Sequence, residues 1–371
     1  MQKLTEFLKN EAVLSASALL AIISSFFVKP DLQYVEYLDI KTLAILFSLM
    51  AIMSGLKSLG VFEAAAKNIL RMAKNVRMTA MVLVLLCFFS SMLITNDVAL
   101  ITFVPLAITA MYKSGIFGKA QMIFVVVMQT IAANLGSMLT PMGNPQNLYL
   151  YTLSGISIAE FLSLMLPYTI VSLLLILVSA FVLKNKPVQT DDTKTQLSCS
   201  PKLIAYLFLF VVSIAVVCGF LHYAIILFAV LIFALGADRK AIIDVDFKLL
   251  LTFAFFFIFI GNMSRMESFS DFISSVLVGR EALCAVAASQ VISNVPCAIL
   301  LSGFTDNISS LIVGTNIGGL GTLIASMASL ISYKYYCTYD NASKGKYVIC
   351  FTVMNILFLT ALIFLYSICH T

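Results

Sequence analysis

Apolar residues run through this chain in long blocks separated by short polar stretches. A helix needs about 20 such residues to cross the hydrocarbon core of a bilayer. Nine segments fit that pattern: residues 12–28, 42–58, 121–153, 158–183, 203–219, 221–237, 249–264, 309–333 and 347–368. The segments at 121–153 and 309–333 are long and interrupted by Gly, Pro, Asn or Ser/Thr. Two further apolar stretches, 78–112 and 282–304, each carry a polar break near the middle. Each half of 78–112 reads as only about 15 residues, short of a span. Both stretches are therefore predicted to be re-entrant hairpins that enter and leave by the same face. The fold class is an all-α polytopic membrane protein of about nine spans, with two re-entrant hairpins and two broken helices. Residues 60–77 read as an amphipathic helix on the cytoplasmic face, and 184–201 (KNKPVQTDDTKTQLSCSP) as the one long polar linker.

Charge placement tests this reading. Of the 371 residues, 61% are hydrophobic and 11% charged, against about 25% charged in a soluble domain. With the N-terminus inside, 19 of the 23 Lys and Arg fall on the cytoplasmic side, and only Lys29, Lys41, Arg265 and Arg280 fall outside. A wrong topology rarely separates basic residues so well. Letting only one of the two hairpins cross would invert everything after it and spoil the separation. The C-terminus then lies outside. The net charge of +5 sits in short loops and reads as a topology signal, with no nucleic acid implied. The apolar run Ala12–Val28 ends in Lys29-Pro30 without a small-residue cleavage site, so it is predicted to be a retained first span of an inner-membrane protein.

The two halves resemble each other. Asp39-Ile40-Lys41 matches Asp246-Phe247-Lys248, and Phe62 matches Phe269 at the same offset. Ser91-Met92-Leu93-Ile94-Thr95-Asn96 matches Ser289-Gln290-Val291-Ile292-Ser293-Asn294. Thr130–Ser137 (TIAANLGS) matches Thr315–Thr322 (TNIGGLGT), with Leu-Gly in register. An odd number of crossings separates the first matched span from its partner, so the repeats face opposite ways. Residues 1–183 form the first inverted repeat and 202–371 the second, within a single membrane unit. Inverted repeats with helices broken at mid-membrane are a signature of secondary transporters.

Enzyme chemistry has little to stand on. The only histidines are His222 and His370, the eight cysteines are scattered without a CxxC pair, and no nucleophile–base or metal-ligand spacing occurs. The chemistry concentrates instead in four breaks: Thr95-Asn96-Asp97, Thr140 to Asn147 (TPMGNPQN), Ser293-Asn294-Val295-Pro296 and Thr315-Asn316-Ile317-Gly318-Gly319. Non-helical backbone at that depth persists only where it lines a protein-covered or wet cavity. Half-helix N-termini there favour an anion and C-termini a cation, and Asn and Thr add oxygen ligands for hard cations. No Lys or Arg falls in any break. Asp97 is the one carboxylate placed deep in the membrane, where a charge is costly and functional by default. It reads as a coupling-cation or proton site; the plainer reading is a cap on the second hairpin helix. The opposite hairpin has Val295 there, so the half-sites are chemically unequal. The predicted substrate ligands are Asn96, Asn144, Ser293, Asn294, Thr315 and Asn316. The predicted coupling-ion ligands are Thr95, Asn96, Asp97, Thr140, Asn144, Asn147 and Asn294, with Na⁺ a candidate at Asn96, Asp97 and Asn144. Gln146 is read with Asn144 and Asn147 as a functional amide, the plainer reading being that amides flanking Pro145 stabilise the turn, and Gly318, Gly319 and Gly321 are equally suited to helix packing.

At these motifs the chain resembles the ion transporter superfamily. TNDVALITFVPLAI and ANLGSMLTPMGNPQNLYLY look like the branch holding arsenite permeases and sodium/proton antiporters. SNVPCAILL and GTNIGGLGTLIASMASLISY look like the second hairpin and second broken helix of that branch. The resemblance, which extends to citrate and divalent-anion permeases, implies a homodimer in a bacterial inner membrane. It also implies an elevator mechanism, with a transport part (78–183 and 282–371) sliding against a scaffold part (1–77 and 202–281). Sodium-coupled dicarboxylate members have Ser-Asn-Thr at both tips; this chain has Thr-Asn-Asp and Ser-Asn-Val. The expected function is secondary active transport of a small anion, a carboxylate among the options, coupled to Na⁺ or H⁺ and without a resident cofactor. Arsenite-like metalloid efflux and Na⁺/H⁺ antiport stay open, while a passive channel would need a continuous polar pore face that the sequence lacks.

Overall fold

A computed structural model describes residues 11–114, 117–183, 186–187, 200–339 and 342–370. Most of the 184–201 linker, the first ten residues and Cys199 lie outside the described residues. The described chain is helical, with one isolated bridge between Asn75 and Pro187. Apart from the short helical turns Gln33–Glu36 and Arg239–Ile243, the α-helices are α1 (Ala12–Phe27), α2 (Ile40–Ser58), α3 (Val61–Leu70), α4 (Val76–Ile94), α5 (Asn96–Ser114), α6 (Lys119–Ser137), α7 (Pro145–Ser154), α8 (Ile158–Ser179), α9 (Pro201–Val217) and α10 (Tyr223–Ala237). They continue as α11 (Phe247–Ser264), α12 (Glu267–Leu277), α13 (Glu281–Ile292), α14 (Asn294–Ser302), α15 (Ile308–Ile317), α16 (Met327–Cys337) and α17 (Lys344–Cys369).

Among the described residues six helices are long and apolar enough to cross a membrane, or seven if the pair α12 and α13, bent by 107°, is one span. Large apolar side chains stay exposed along the outer helices: Val178 on α8, Phe208 on α9, Phe228 and Ile232 on α10, and Ile349 and Phe364 on α17. A surface of that kind would aggregate in water and is the normal solvation of a protein in lipid. This is an all-helical polytopic membrane protein.

Local sequence explains the boundaries. Asp39 caps α2 through Thr42 N (3.0 Å), and Asp246 caps α11 through Leu249 N (3.0 Å), on nearly identical backbone angles (φ −75°, ψ 82° and φ −77°, ψ 79°). Asn75 caps α4, Ser157 caps α8 in a capping box with Glu160, and Ser200 caps α9. Pro145 and Pro201 take first-turn positions, where a missing N–H costs nothing. Gly155 ends α7 in the left-handed conformation.

The structure refines four expectations. The helices of the first hairpin are each 19 residues long rather than about 15, because Val76–Arg77 and Lys113–Ser114 extend the apolar runs at their outer ends. Length alone therefore does not exclude a crossing by α4, which counts among the six above. The break in that hairpin is Thr95 alone, and in the second it is Ser293 alone; Asn96, Asp97, Asn294, Val295 and Pro296 already lie in the first turns of α5 and α14. Thr315 and Asn316 belong to the last turn of α15, and the unwound segment runs over 318–326 instead. The amphipathic helix predicted over 60–77 stops at Leu70, since Asn75 starts a new helix.

Packing is organised around α6, whose residues 122–137 are almost wholly buried. The α4/α5 hairpin clasps α6, and the α13/α14 hairpin clasps α15. The second halves of the broken segments cross over: α7 packs on α14 and α15, while α16 packs on α5 and α6. Helix α4 sits so close to α6 that a Cβ on Gly136 would fall 2.0 Å from the Phe88 carbonyl oxygen. Elsewhere α1 lies along α11, and α2 packs on α9 and α10. Glu11 pairs with Lys248 beside the starts of α1 and α11, and Asp31 pairs with Arg265 (2.8 Å) past their ends, so these two helices run parallel. Buried Asn262 ties them midway through Ser24 Oγ (2.9 Å).

Candidate functional site

Thr95 and Ser293 share an unusual backbone: φ 67°, ψ 149° and φ 73°, ψ 153°. They are the only non-glycine residues with positive φ among the described residues. A side chain there costs on the order of 1–3 kcal/mol, and such outliers cluster at functional sites. Each is followed at once by an Asn that opens a helix. Helices α4, α13, α6 and α15 therefore end, and α5, α14, α7 and α16 begin, within one central region.

One hydrogen-bond network joins the four breaks. Asn96 Nδ2 donates to Asn134 Oδ1 (3.2 Å), and Ser326 Oγ donates to the same oxygen (3.0 Å). Asn134 Nδ2 in turn donates to the Gly319 carbonyl (3.4 Å). A Cβ on Gly319 would lie 2.9 Å from Asn294 Nδ2. The two hairpin asparagines thus flank the same short stretch, Asn96 through Asn134 and Asn294 by direct contact. A second chain runs from Asn144 Nδ2 to Ser137 Oγ and Asn316 Oδ1 (both 3.2 Å), and from Asn316 Nδ2 to Asn147 Oδ1. Asn147 Nδ2 points at the carbonyls of Ser137 (3.4 Å), Met138 (3.3 Å) and Thr140 (3.3 Å). Thr140 Oγ1 donates to the Met92 carbonyl, three residues before one tip. Thr322 Oγ1 donates to the Gln290 carbonyl (2.9 Å), three residues before the other.

The half-sites differ in openness. A cavity of about 610 Å³ is lined by Thr95, Asp97, Asn144, Pro145 and Met327 from the breaks, and by Lys57, Glu63, Lys240, Asp244 and Asp246 from the neighbouring segments. Its size fits a small-molecule site. The N-termini of α5, α7 and α16 all reach it with their positive dipole ends, though Asn96 Oδ1 accepts Asp97 N and Asn144 Oδ1 accepts Asn147 N (both 2.9 Å). Asp97 is the carboxylate that the breaks bring to the cavity; its Oδ1 is buried and has no hydrogen-bond partner, and the same holds for Glu63 Oε2 from α3. Ser293 and Asn294 do not line that cavity. Asn294 N and Ser293 Oγ bond the Ala325 carbonyl (2.9 and 3.5 Å), closing the second tip on its own unwound segment. Thr315 Oγ1 is spent on the Leu311 carbonyl (2.7 Å), one turn back in its helix. Of the predicted ligands, Thr95, Asp97 and Asn144 meet at the cavity. Asn96, Thr140, Asn147 and Asn316 support them from behind, while Ser293, Asn294 and Thr315 face inward elsewhere.

Sequence reasoning missed Asn134, Ser326, Thr322 and Gln290. Asn134 had a usable signal: in the TIAANLGS/TNIGGLGT match it stands opposite Gly319, a polar residue where the other half has none. Asn134 holds both half-sites, so Asn134→Leu is expected to lower stability by about 2–4 kcal/mol, stranding the Asn96 amide, the Ser326 hydroxyl and the Gly319 carbonyl. Thermal unfolding of the purified variant measures this, and an unchanged midpoint would remove Asn134 from the network.

Converging half-helix ends around a cavity, on an apolar-surfaced helical body, define a membrane transport protein. The comparisons agree: a family model described as citrate transporter matches residues 6–310. The chain belongs to this citrate transporter family, and its resemblance to the ion transporter superfamily holds. The uncharacterized transporter MJ0456 of Methanocaldococcus jannaschii is 34% identical over 328 residues, 87% of this chain and 88% of its own. The inner membrane protein YbiR of Escherichia coli is 32% identical over 312 residues, 80% of each chain. The putative transporter arsB of Dictyostelium discoideum is 29% identical over 125 residues, 32% of this chain and 21% of its own.

Proposed function

We propose that the protein is a secondary active transporter of a small carboxylate-class anion across the cytoplasmic membrane, coupled to Na⁺ or H⁺. The observation that carries this reading is the 610 Å³ cavity, onto which three helix N-termini converge beside Asp97, whose buried oxygen has no partner. The N-termini suit an anion, and ionised Asp97 repels it. A cation or proton on Asp97 cancels that repulsion, so cation and anion bind together more readily than either alone. Coupling is then an electrostatic linkage between neighbouring sites.

The matched caps at Asp39 and Asp246 and the matched tips at Thr95 and Ser293 support inverted repeats over 1–183 and 202–371. The parallel course of α1 and α11 suits a cytoplasmic N-terminus, with Glu11 and Lys248 on the inside and Asp31 and Arg265 outside. In that orientation Lys57 and Lys240, which line the cavity, lie on the cytoplasmic side, which supports a site open inward. An elevator-type cycle would carry the clasped hairpins past α1, α2 and α9–α11, the expected scaffold of a homodimer.

A second reading, arsenite-like efflux, draws on the partial likeness to the putative transporter arsB and on breaks that carry no Lys or Arg. A thermal-shift panel of citrate, dicarboxylates, inorganic oxyanions and arsenite, with and without Na⁺, separates the readings. Stabilisation by a carboxylate, strengthened by Na⁺ or by lower pH, is expected. Stabilisation by arsenite alone favours the second reading. A flat response to every carboxylate, matched by no citrate uptake in proteoliposomes, refutes the first.

A further inference from the structure

Unwound backbone at a helix C-terminus is where a transporter of this build has carbonyl oxygens free to hold a cation. Here those oxygens are taken. Gln290, on α13, sends Nε2 to the carbonyls of Gly318 (3.1 Å), Leu320 (2.9 Å) and Val286 (3.1 Å). Its Oε1 accepts Thr322 N (3.0 Å), so both ends of the amide are bound. The fit is tight: a Cβ on Gly321 would strike Gln290 Oε1 at 2.1 Å. In the other half Asn147 Nδ2 occupies the carbonyls of Ser137, Met138 and Thr140.

These amides are not repeat counterparts. The residue matching Gln290 is Met92, which has no donor, and the first half instead draws its donor from α7. Two unrelated positions have thus arrived at one arrangement, an NH₂ group amid the carbonyls of an unwound segment. An amide N–H presents its partial positive charge to those oxygens permanently. Three buried oxygens near the breaks and the cavity have no partner: Gln146 Oε1, which does not line the cavity, Glu63 Oε2, which lines it from α3, and Asp97 Oδ1, the one that both lines it and stands at a tip.

We infer that the protein takes a single coupling cation, at Asp97, and that the side-chain amides of Gln290 and Asn147 stand where further cations would otherwise sit. The inference rests on the transport reading above and adds its stoichiometry. Gln290 is a positioning residue for the second unwound segment.

The test is ²²Na⁺ binding to the purified full-length protein, counted per chain. The wild type is expected to bind one ion if Na⁺ is the coupling ion and none if the proton is; two ions per chain would overturn the inference. Gln290→Ala frees the carbonyls of Gly318 and Leu320 and is expected to bind one ion more than wild type. Gln290→Glu, which puts an acceptor among acceptors, is expected to do the same. A monodisperse variant with the wild-type count would show that Gln290 is only a structural clasp. If neither variant purifies, the wild-type count still decides: one ion supports the inference, two overturn it, and with none the count passes to protons taken up per chain on citrate binding, where more than one overturns it. Asp97→Asn separates the two levels of argument. Should it leave both the ion count and gradient-driven uptake untouched, the coupling role fails along with this stoichiometry. Two ions in the wild type, one of them lost in Asp97→Asn, sink the stoichiometry and leave transport standing.

Discussion

Asp97→Asn is expected to cut cation-driven uptake by about 100-fold or more while leaving the protein folded. The magnitude follows from removing one partner of a buried charge interaction, about 3 kcal/mol. Asparagine fills the same volume and keeps an oxygen at the tip, so the hairpin backbone should not change. Asp97 Oδ1 has no partner to lose, and a buried carboxylate in an apolar span is itself unfavourable. The unfolding midpoint should therefore hold or rise. Citrate uptake into proteoliposomes under imposed Na⁺ or proton gradients, together with equilibrium exchange, measures the effect. Retained exchange with lost gradient response would mark Asp97 as the coupling group. Wild-type accumulation by the folded variant would reduce it to a cap on α5.

Gly136→Ala is expected to be the most damaging small substitution, lowering stability by about 3 kcal/mol. Its added methyl meets the Phe88 carbonyl oxygen at 2.0 Å and the Ser91 Oγ at 2.7 Å. The first obstacle is backbone, so relief requires shifting α4 away from α6 along the most buried contact of the hairpin. That shift also moves the Met92 carbonyl from Thr140 and displaces the tip. Gly236→Ala is the control: it lies inside α10 with nothing within 4 Å of the new methyl. There the change should be neutral or stabilising by up to about 1 kcal/mol, from helix propensity. Thermal midpoints of both variants in detergent give the comparison, and equal values would discount the close approach.

Much of the fold was legible because lipid imposes a simple rule on sequence. Each span must be apolar along its length, so 158–183 and 347–368 anticipate Ile158–Val182 and Lys344–Cys369 within a few residues. The tips were legible for the same reason, since Thr-Asn-Asp amid apolar residues is expensive unless used. What the sequence hid was partnership. Asn134 meets Gly319 across 185 positions and Ser326 across 192, and no local pattern encodes such pairs. Gln290 looks like an ordinary polar residue near a helix end, and its role emerges only when 318–322 folds over it. The second break was placed too early because Thr315 and Asn316 look like helix breakers. In the structure Thr315 bonds its own helix and Asn316 reaches Asn144 and Asn147. The unwound 318–326, with its Leu323, Ile324 and Ala325, looks apolar enough to be helix.

The exchange of α7 and α16 between the hairpins has a mechanical consequence. Each broken segment starts in the grip of one hairpin and finishes against the other, like the fingers of clasped hands. Neither tip is free to travel by itself, because pulling on one drags the far half of its partner's segment. Displacing either tip therefore strains the packing that holds the other.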